Sequence, residues 1–385
     1  MSSLLVLNAG SSSLKFAVFE LTGAPERVLA GKAERRASGR SVVHYRGRRS
    51  AEEHTFEADA LDVLSWLEQS AELGALRAVA HRLVHGGPEC FDPLELTADA
   101  IERLRRYESW DPEHLPAALA LIDAARARWP AVAQIGCFDT GFHRDLPRVA
   151  ALLPIPRRYI ERGVRRFGFH GLAYASVRDQ LTRRLGALPP RCVFAHLGSG
   201  CSMAALRDGR CIDTSMAFTP NSGLPMATRS GDLDVGLFEF LAQQDDLDVT
   251  ELRQVLSREA GLLGLSGVSG DVRVLLEEPR APAAMEALAA FSYAVKKQIG
   301  AYAAALGGLD LLAFSGGIGE NVAEVRHEVC SGLETLLGLE IDGARNAAGA
   351  AVISSDRCPA AIHVVRTDEE AVIANQALQL LERRP

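Results

Sequence analysis

The chain opens with apolar runs of strand length. Residues 4–7 form a run suited to a buried strand, and residues 14–21 are rich in Phe and Val. Shorter runs at 28–33 and 42–45 follow, with Gly, Pro and Arg between them, so the first 47 residues read as strands. From 56 to 71 the apolar spacing becomes helical, with Leu61, Leu64 and Leu67 on one face. A strand is predicted over 77–84, running into His85-Gly86-Gly87-Pro88. Helices are predicted over 98–107 and 116–128, and another strand over 133–138.

The pattern then begins again. Residues 191–196 are an apolar strand ending in Leu197-Gly198-Ser199-Gly200. A second strand covers 201–206, Asp208-Gly209 is a strong hairpin signal, and a third strand covers 210–213. The same order of strand, Gly/Ser turn and strand occurs at 4–7, Asn8 to Ser13, and 14–21. The offset is about half the chain, which suggests a duplicated domain plan rather than a short repeat. Two α/β halves of this kind predict a ligand cleft between them. Pro147, Pro154 and Pro156 interrupt the pattern, placing the boundary between 141 and 160.

Composition narrows the class. A chain of 385 residues, 48% hydrophobic and 24% charged, can bury a full core, which excludes disordered, collagen-like and disulfide-scaffold classes. The net charge of −7 gives no global attraction to nucleic acid or to an anionic membrane. Seven cysteines without a C-x-x-C spacing fit a reduced, cytoplasmic protein. No secretory signal is expected from MSSLLVLNAG. The most apolar stretch, 283–313, is broken by Lys296-Lys297-Gln298, so no membrane span is expected either. Lysines number only four against 38 arginines, which draws notice to Lys15.

Three Gly/Ser turns follow strands. Asn8-Ala9-Gly10-Ser11-Ser12-Ser13-Leu14-Lys15 offers hydroxyls, backbone N–H groups and one ammonium to phosphate oxygens, although an ordinary tight hairpin has the same look. His196-Leu197-Gly198-Ser199-Gly200 is its counterpart. Gly316-Gly317-Ile318-Gly319-Glu320-Asn321 follows the apolar run 309–314 and precedes a helical segment at 322–329, an arrangement that accepts a nucleotide. Neither a Walker A nor a G-x-G-x-x-G spacing is present. Arg82 ends a strand and Arg229 sits among Thr, Ser and Gly, settings suited to carboxylate or phosphate. Asp139 falls just past a strand, where it could bind metal, position a nucleophile or cap the next element. His170 lies among aromatics, as packed histidines often do. Thr367-Asp368-Glu369-Glu370 ends the strand-like run 362–365 and could hold Mg²⁺ or cap the last helix. Together these are the parts of a phosphoryl-transfer site.

In order along nearly the whole chain, these segments closely resemble the acetate/propionate/butyrate kinase family. The matching segments are LNAGSSSLKF (7–16), HRLVHGG (81–87), FDTGFH (138–143), RRFGFHG (165–171), HLGSG (196–200), DTSMAFTP (213–220), MATRSGDLD (226–234), GLLGLSGVSGDVR (261–273), GGIGEN (316–321) and TDEE (367–370). The resemblance implies an α/β fold of two duplicated actin-like ATPase (ribonuclease H-like) domains, with mixed sheets flanked by helices. The first would span 1–145 with a returning C-terminal helix, 371–385. The second, 146–370, would bind nucleotide and form a homodimer interface. The implied reaction is ATP plus a short carboxylate giving ADP plus an acyl phosphate, with Mg²⁺, or Mn²⁺ in its place, as cofactor. Acetate is the first expectation. Propionate or another short acid is the alternative, and a nucleotide-binding paralogue without catalysis is the third.

Roles carry over position by position. Asn8 and Glu369 would hold the metal, and Arg82 the substrate carboxylate. Val84, Phe169 and Pro220 would line the acyl pocket. Asp139 would act as acid/base or positioning carboxylate, and His170 and Arg229 would stabilise the phosphoryl group in flight. Lys15, His196, Leu197, Gly198, Ser199, Gly200, Asp271, Val272, Arg273, Gly317, Ile318, Gly319, Glu320 and Asn321 would bind ATP. The chain also departs from the family pattern. The usual P-L-H-N-P is Pro112-Glu113-His114-Leu115-Pro116, which puts a carboxylate at an apolar pocket position. Ser199 replaces an Asn, Tyr174 stands where a second His is usual, Asn221-Ser222 replaces Leu-Glu, and Ala227 stands where Gly is common.

Overall fold

The computed structural model describes residues 2–10, 13–35, 41–48, 54–58, 60–277 and 279–383. Ser11 and Ser12 of the first Gly/Ser turn lie outside the described residues. Two compact units emerge, one formed by Met1–Phe142 with Asp368–Pro385 and the other by His143–Thr367.

The first unit is built on an eight-stranded sheet: β1 (Ser2–Ala9), β2 (Ser13–Glu20), β3 (Glu26–Arg35), β4 (Ser41–Gly47), β5 (His54–Ala58), β6 (Ala75–Leu83), β7 (Leu94–Glu95) and β8 (Ala133–Phe138). Their order is β5-β4-β3-β2-β1-β6-β8-β7. β1 runs antiparallel to β2 and parallel to β6, which is parallel to β8. A mid-sheet strand is covered on both faces, so β1 is a continuous apolar run rather than an alternating one. Helices Ala60–Gln69 and Leu115–Arg128 lay Val63, Leu64, Leu67, Leu121 and Ala125 against Leu5, Leu7, Phe16 and Val18. The last helix, Glu369–Glu382, packs on β1, β6 and β8 through Val372, Ile373, Ala374 and Ala377.

The second unit holds β9 (Arg191–Leu197), β10 (Cys201–Arg207), β11 (Arg210–Thr214), β12 (Leu311–Ser315) and β13 (Ala361–Val364) in the order β11-β10-β9-β12-β13. β11, β10 and β9 are antiparallel, while β9, β12 and β13 are parallel. That sequence of pairings repeats β3-β2-β1-β6-β8 of the first sheet. The internal duplication is therefore a duplicated sheet topology. Asp208 and Gly209 close the β10–β11 hairpin with φ of 50° and 75°, the two left-handed positions of a type I′ turn. The 25-residue helix Pro282–Leu306 packs on β9 and β10, and the helix Gly171–Leu185 packs on β9.

Two expectations need correction. The segment 56–71 does not start as helix, because His54–Ala58 is the edge strand β5, paired with β4, and the helix begins at Ala60. Phe56 explains the switch: its ring packs at 5.1 Å from Trp66 and 6.0 Å from Tyr45, a cross-strand aromatic contact that local spacing cannot reveal. The Gly-rich segment after β12 is not a turn ahead of a helix but is itself the helix Gly316–Asn321. Helices Val235–Gln244 and Val249–Arg258 were also passed over, although Asp248 and Glu251 form a capping box that marks the second.

Candidate active site

Three parallel strands of the first unit end beside one another, and each delivers a polar side chain at its C-terminal end. Asn8 lies near the end of β1, Arg82 near the end of β6, and Asp139 directly after β8. The carboxyl ends of parallel strands are where open α/β sheets bind ligands. Asp139 is 1% exposed, and its Oδ2 accepts from Arg82 Nε at 3.0 Å and Nη2 at 2.7 Å. Arg82 Nη1 also donates to Asn8 Oδ1 at 3.3 Å and to the Ala9 carbonyl at 3.4 Å. Asn8 Nδ2 in turn donates to Glu369 Oε2 at 3.0 Å and Glu370 Oε1 at 2.8 Å. Burial opposes the Arg82 charge, but Asp139, Glu369 and Glu370 outweigh it and raise its pKa above the ordinary guanidinium value. The guanidinium is thereby fixed as a cation with its orientation set. Glu370, named in the sequence only as part of the Thr367–Glu370 segment and not with the metal pair Asn8 and Glu369, enters this network too. Its adjacency to Glu369 in the first turn of a helix was the available signal.

Lys15 is exposed on β2, directly opposite Asn8 in register. Val84 is buried. Glu113 is half-buried. Leu115 is fully buried in an apolar cluster with Leu83, Leu119 and Phe138, so it serves the helix core.

The oxygen-rich set of Asn8, Glu369 and Glu370 fits a hard cation such as Mg²⁺. That ion takes one or two carboxylates and completes its shell with water and phosphate oxygens. Among the described residues, no group of three or more His, Cys, Asp or Glu could hold a metal by itself.

In the second unit the Gly/Ser loop after β9 gathers a second group. A Cβ at Gly200 would lie 3.2 Å from His170 Nε2 and 3.6 Å from Arg229 Nη1, so both side chains reach over the bare backbone of one glycine. His170 precedes the helix Gly171–Leu185 with φ of 57°, a left-handed conformation costly for a non-glycine residue, at about 1–2 kcal/mol. Its Nδ1 lies 2.9 Å from Ser202 Oγ. Arg229 Nη1 donates to the Pro220 carbonyl at 3.2 Å. Phe169 is buried, and its carbonyl accepts from His143 Nε2 at 2.9 Å. The His196 ring is 4.8 Å from that of His170, and its Nδ1 lies 3.1 Å from Ser315 Oγ.

The predicted nucleotide segments meet here in part. A Cβ at Gly198 would be 3.7 Å from the Gly317 N–H group, so the loops at 197–200 and 316–317 touch. The Ser199 carbonyl accepts from the Ala227 N–H at 3.1 Å, and Gly270 packs on Ala227. Leu197, Val272 and Ile318 are buried and have only backbone to offer a ligand. Glu320 Oε1 accepts from the backbone N–H groups of Gly316 and Thr367, and Asn321 Nδ2 donates to the Gly317 carbonyl. Arg273 pairs with Asp271, the N-cap of its helix. Ser202 and Ser315 were missed from the sequence, although each is a lone hydroxyl in an otherwise apolar strand.

Three histidines stay neutral inside the protein. Burial pushes His81, His85 and His143 down to about 4. The folded values lie below the usual 6.5, so the unfolded chain takes up protons first as pH falls. Stability is full above about pH 6.5 and declines toward pH 4, by about 1.4 kcal/mol per pH unit for each histidine. The melting temperature is expected to drop between pH 6.5 and 4.5. A flat profile over that interval would refute neutral burial.

Duplicated mixed sheets, a fixed Arg–carboxylate pair and glycine loops under His and Arg together define a phosphotransferase of the actin-like ATPase type. A sequence model of the acetokinase family matches residues 3–375, and the chain belongs to that family. It is 40% identical to the acetate kinase of Methylocella silvestris over 98% of both chains. Among solved structures, the propionate kinase of Francisella tularensis superposes with a TM-score of 0.90 at 33% identity, covering 98% of this chain and 99% of that one. The acetate kinase of Porphyromonas gingivalis gives 0.87, also at 33% identity, over 99% and 100%. The chain is a kinase that uses a carboxyl group as acceptor.

Proposed function

We propose that this enzyme transfers the γ-phosphoryl group of ATP reversibly to the carboxylate of acetate, giving acetyl phosphate and ADP. The observation that carries the reading is the Arg82–Asp139 pair, which holds a guanidinium ready for a small carboxylate. In this mechanism Arg82 binds one face of the acetate carboxylate. A carboxylate oxygen attacks the γ-phosphorus, a new O–P bond forms, and the bond to the β–γ bridging oxygen breaks with its electrons leaving on ADP. The nucleophile is already ionised, so no base need remove a proton. Both hydrogen bonds from Arg82 to Asp139 fall on its Oδ2, which favours a positioning role for that carboxylate over proton transfer. His170 Nε2 and Arg229 Nη1 donate to the equatorial oxygens, where charge gathers in the transition state. Asn8 and Glu369, with Glu370, would hold Mg²⁺, which neutralises phosphate charge when bound. Lys15 and the segments 196–200, 271–273 and 317–321 would hold the rest of ATP. Val84, Phe169 and Pro220 would line the acyl pocket.

A second reading, propionate or another short acid, is favoured by one feature. Glu113, half-buried, stands at a pocket position that is usually apolar in the family. Acyl phosphate formation with ATP and Mg²⁺ across formate, acetate, propionate, butyrate and a hydroxy acid decides between the two. The highest kcat/KM is expected for acetate. A higher value for another acid would overturn the assignment, and no product from any acid would leave only a nucleotide-binding role.

A homodimer and a cytoplasmic location belong to the same proposal. The helix Val235–Gln244 buries none of its residues and exposes Val235, Phe238 and Phe240, apolar surface that a second copy would cover. Sedimentation of the purified protein should give twice the chain mass, and a monomer would refute the dimer. All seven cysteines are unbonded, as in a reducing compartment. Among the described residues no helix is long and apolar enough to cross a membrane.

A further inference from the structure

His170 can serve the transferring phosphoryl group only if its Nε2 carries a proton. In a neutral imidazole just one nitrogen does, and the partner of the other nitrogen decides which. The partner of Nδ1 is Ser202 Oγ, at 2.9 Å. Ser202 is wholly buried on β10, opposite His196 in the β9–β10 register. Its Oγ is also hydrogen-bonded to the hydroxyl of Tyr174, which is equally buried. Tyr174 follows His170 by one helical turn, and its backbone N–H donates to the His170 carbonyl at 3.0 Å. Residues four apart share a helix face, so ring and phenol reach the same serine.

We propose that Tyr174 is a positioning residue that acts through Ser202 to set the tautomer of His170. This rests on the phosphoryl-stabilising role assigned to His170 above. A phenol is much the stronger acid of the two hydroxyls and so the better donor. The chain therefore runs from Tyr174 O–H to Ser202 Oγ, and from Ser202 O–H to His170 Nδ1. Nδ1 becomes the acceptor, and Nε2 keeps its hydrogen and presents it over Gly200 beside Arg229. Without the phenol, the Ser202 hydroxyl can turn and accept from Nδ1–H instead. Nε2 then becomes a lone pair facing phosphate oxygens, which repels them. Titratable groups facing this assembly include His196, 4.8 Å from the His170 ring, Arg229 over Gly200, His143, edge-on to the Tyr174 ring at 5.7 Å, and the buried phenol of Tyr302, which interacts with that of Tyr174.

The test uses Tyr174→Phe, Ser202→Ala and the double variant in the full chain. Tyr174→Phe is expected to lower kcat about tenfold at pH 8, the scale of one buried hydrogen bond, with KM for ATP and acetate within twofold. The double variant should be no slower than Ser202→Ala alone, since the phenol acts only through the serine. Nitrogen-15 chemical shifts should show His170 as the Nε2–H tautomer in the native protein and as a mixture in Tyr174→Phe. Deficits that multiply in the double variant, or a native Nδ1–H tautomer, would each overturn the proposal. The nitrogen shifts need no turnover, so they decide the tautomer even if the kinase reading fails in the carboxylate panel.

Discussion

Arg229→Ala is expected to lower kcat by 10²–10³ while the Kd for ATP changes less than threefold. The Arg229 guanidinium is held by the Pro220 carbonyl at 3.2 Å and by Met226 Sδ at 3.8 Å, and its Nη1 reaches the space above Gly200 that His170 Nε2 shares. In the mechanism proposed above, a charge placed there meets equatorial phosphoryl oxygens, which become most negative in the transition state. Loss of one preorganised donor of this kind costs about 2.7–4 kcal/mol of transition-state stabilisation. Ground-state ATP has other contacts and should hardly register the change. Single-turnover rates set beside calorimetric ATP binding make the comparison. An unchanged rate would remove Arg229 from the chemistry, and an ATP affinity that falls in parallel with rate would make it a ground-state ligand.

The other large effect is expected at Asp139. Asp139→Ala removes the carboxylate that receives two Arg82 hydrogen bonds and leaves a largely buried guanidinium without its main partner. Breaking such a pair from one side costs about 3–5 kcal/mol. Part of that cost should appear as lost stability, and part as a fall of 10² or more in kcat/KM for acetate, because Arg82 is no longer aimed. Asp139→Asn separates positioning from proton transfer. It retains one oxygen to accept from Arg82, so a positioning role predicts a loss at least tenfold smaller than that of the alanine variant. Equal losses in the two variants would point to proton transfer and against the mechanism proposed above. Steady-state rates over acetate concentration, together with urea unfolding of both variants, give the answer.

Much of this molecule was readable because its signals are local. The type I′ turn at Asp208-Gly209 depends on two residues that tolerate positive φ, and it appears where the dipeptide predicts. The covered strands β1 and β12 read as short apolar runs because both faces of a mid-sheet strand leave water. The Gly-rich segments, the strand-end Arg82 and Asp139, and the ordered family motifs were visible for the same reason: each is a contiguous run of side chains. The strand at His54–Ala58 was not visible. Its identity depends on pairing with β4 and on the Phe56–Trp66 contact, not on its own spacing.

By itself the sequence determined the duplicated plan, the family and the residue types available for phosphoryl transfer. Turns, strand lengths and motif order are set within a few residues of chain. Tertiary structure alone decided which of those residues act together. Arg82 and Asp139 are 57 positions apart, and Asn8 and Glu369 are 361 apart, yet each pair is hydrogen-bonded. Parallel pairing of β1, β6 and β8, with the final helix packed across them, brings these groups into reach. In the same way Ser202, an unremarked hydroxyl in an apolar strand, becomes the partner of His170 and Tyr174 only because β10 lies beneath that helix turn. Such contacts are set by pairing and packing between distant segments, and no local pattern encodes them.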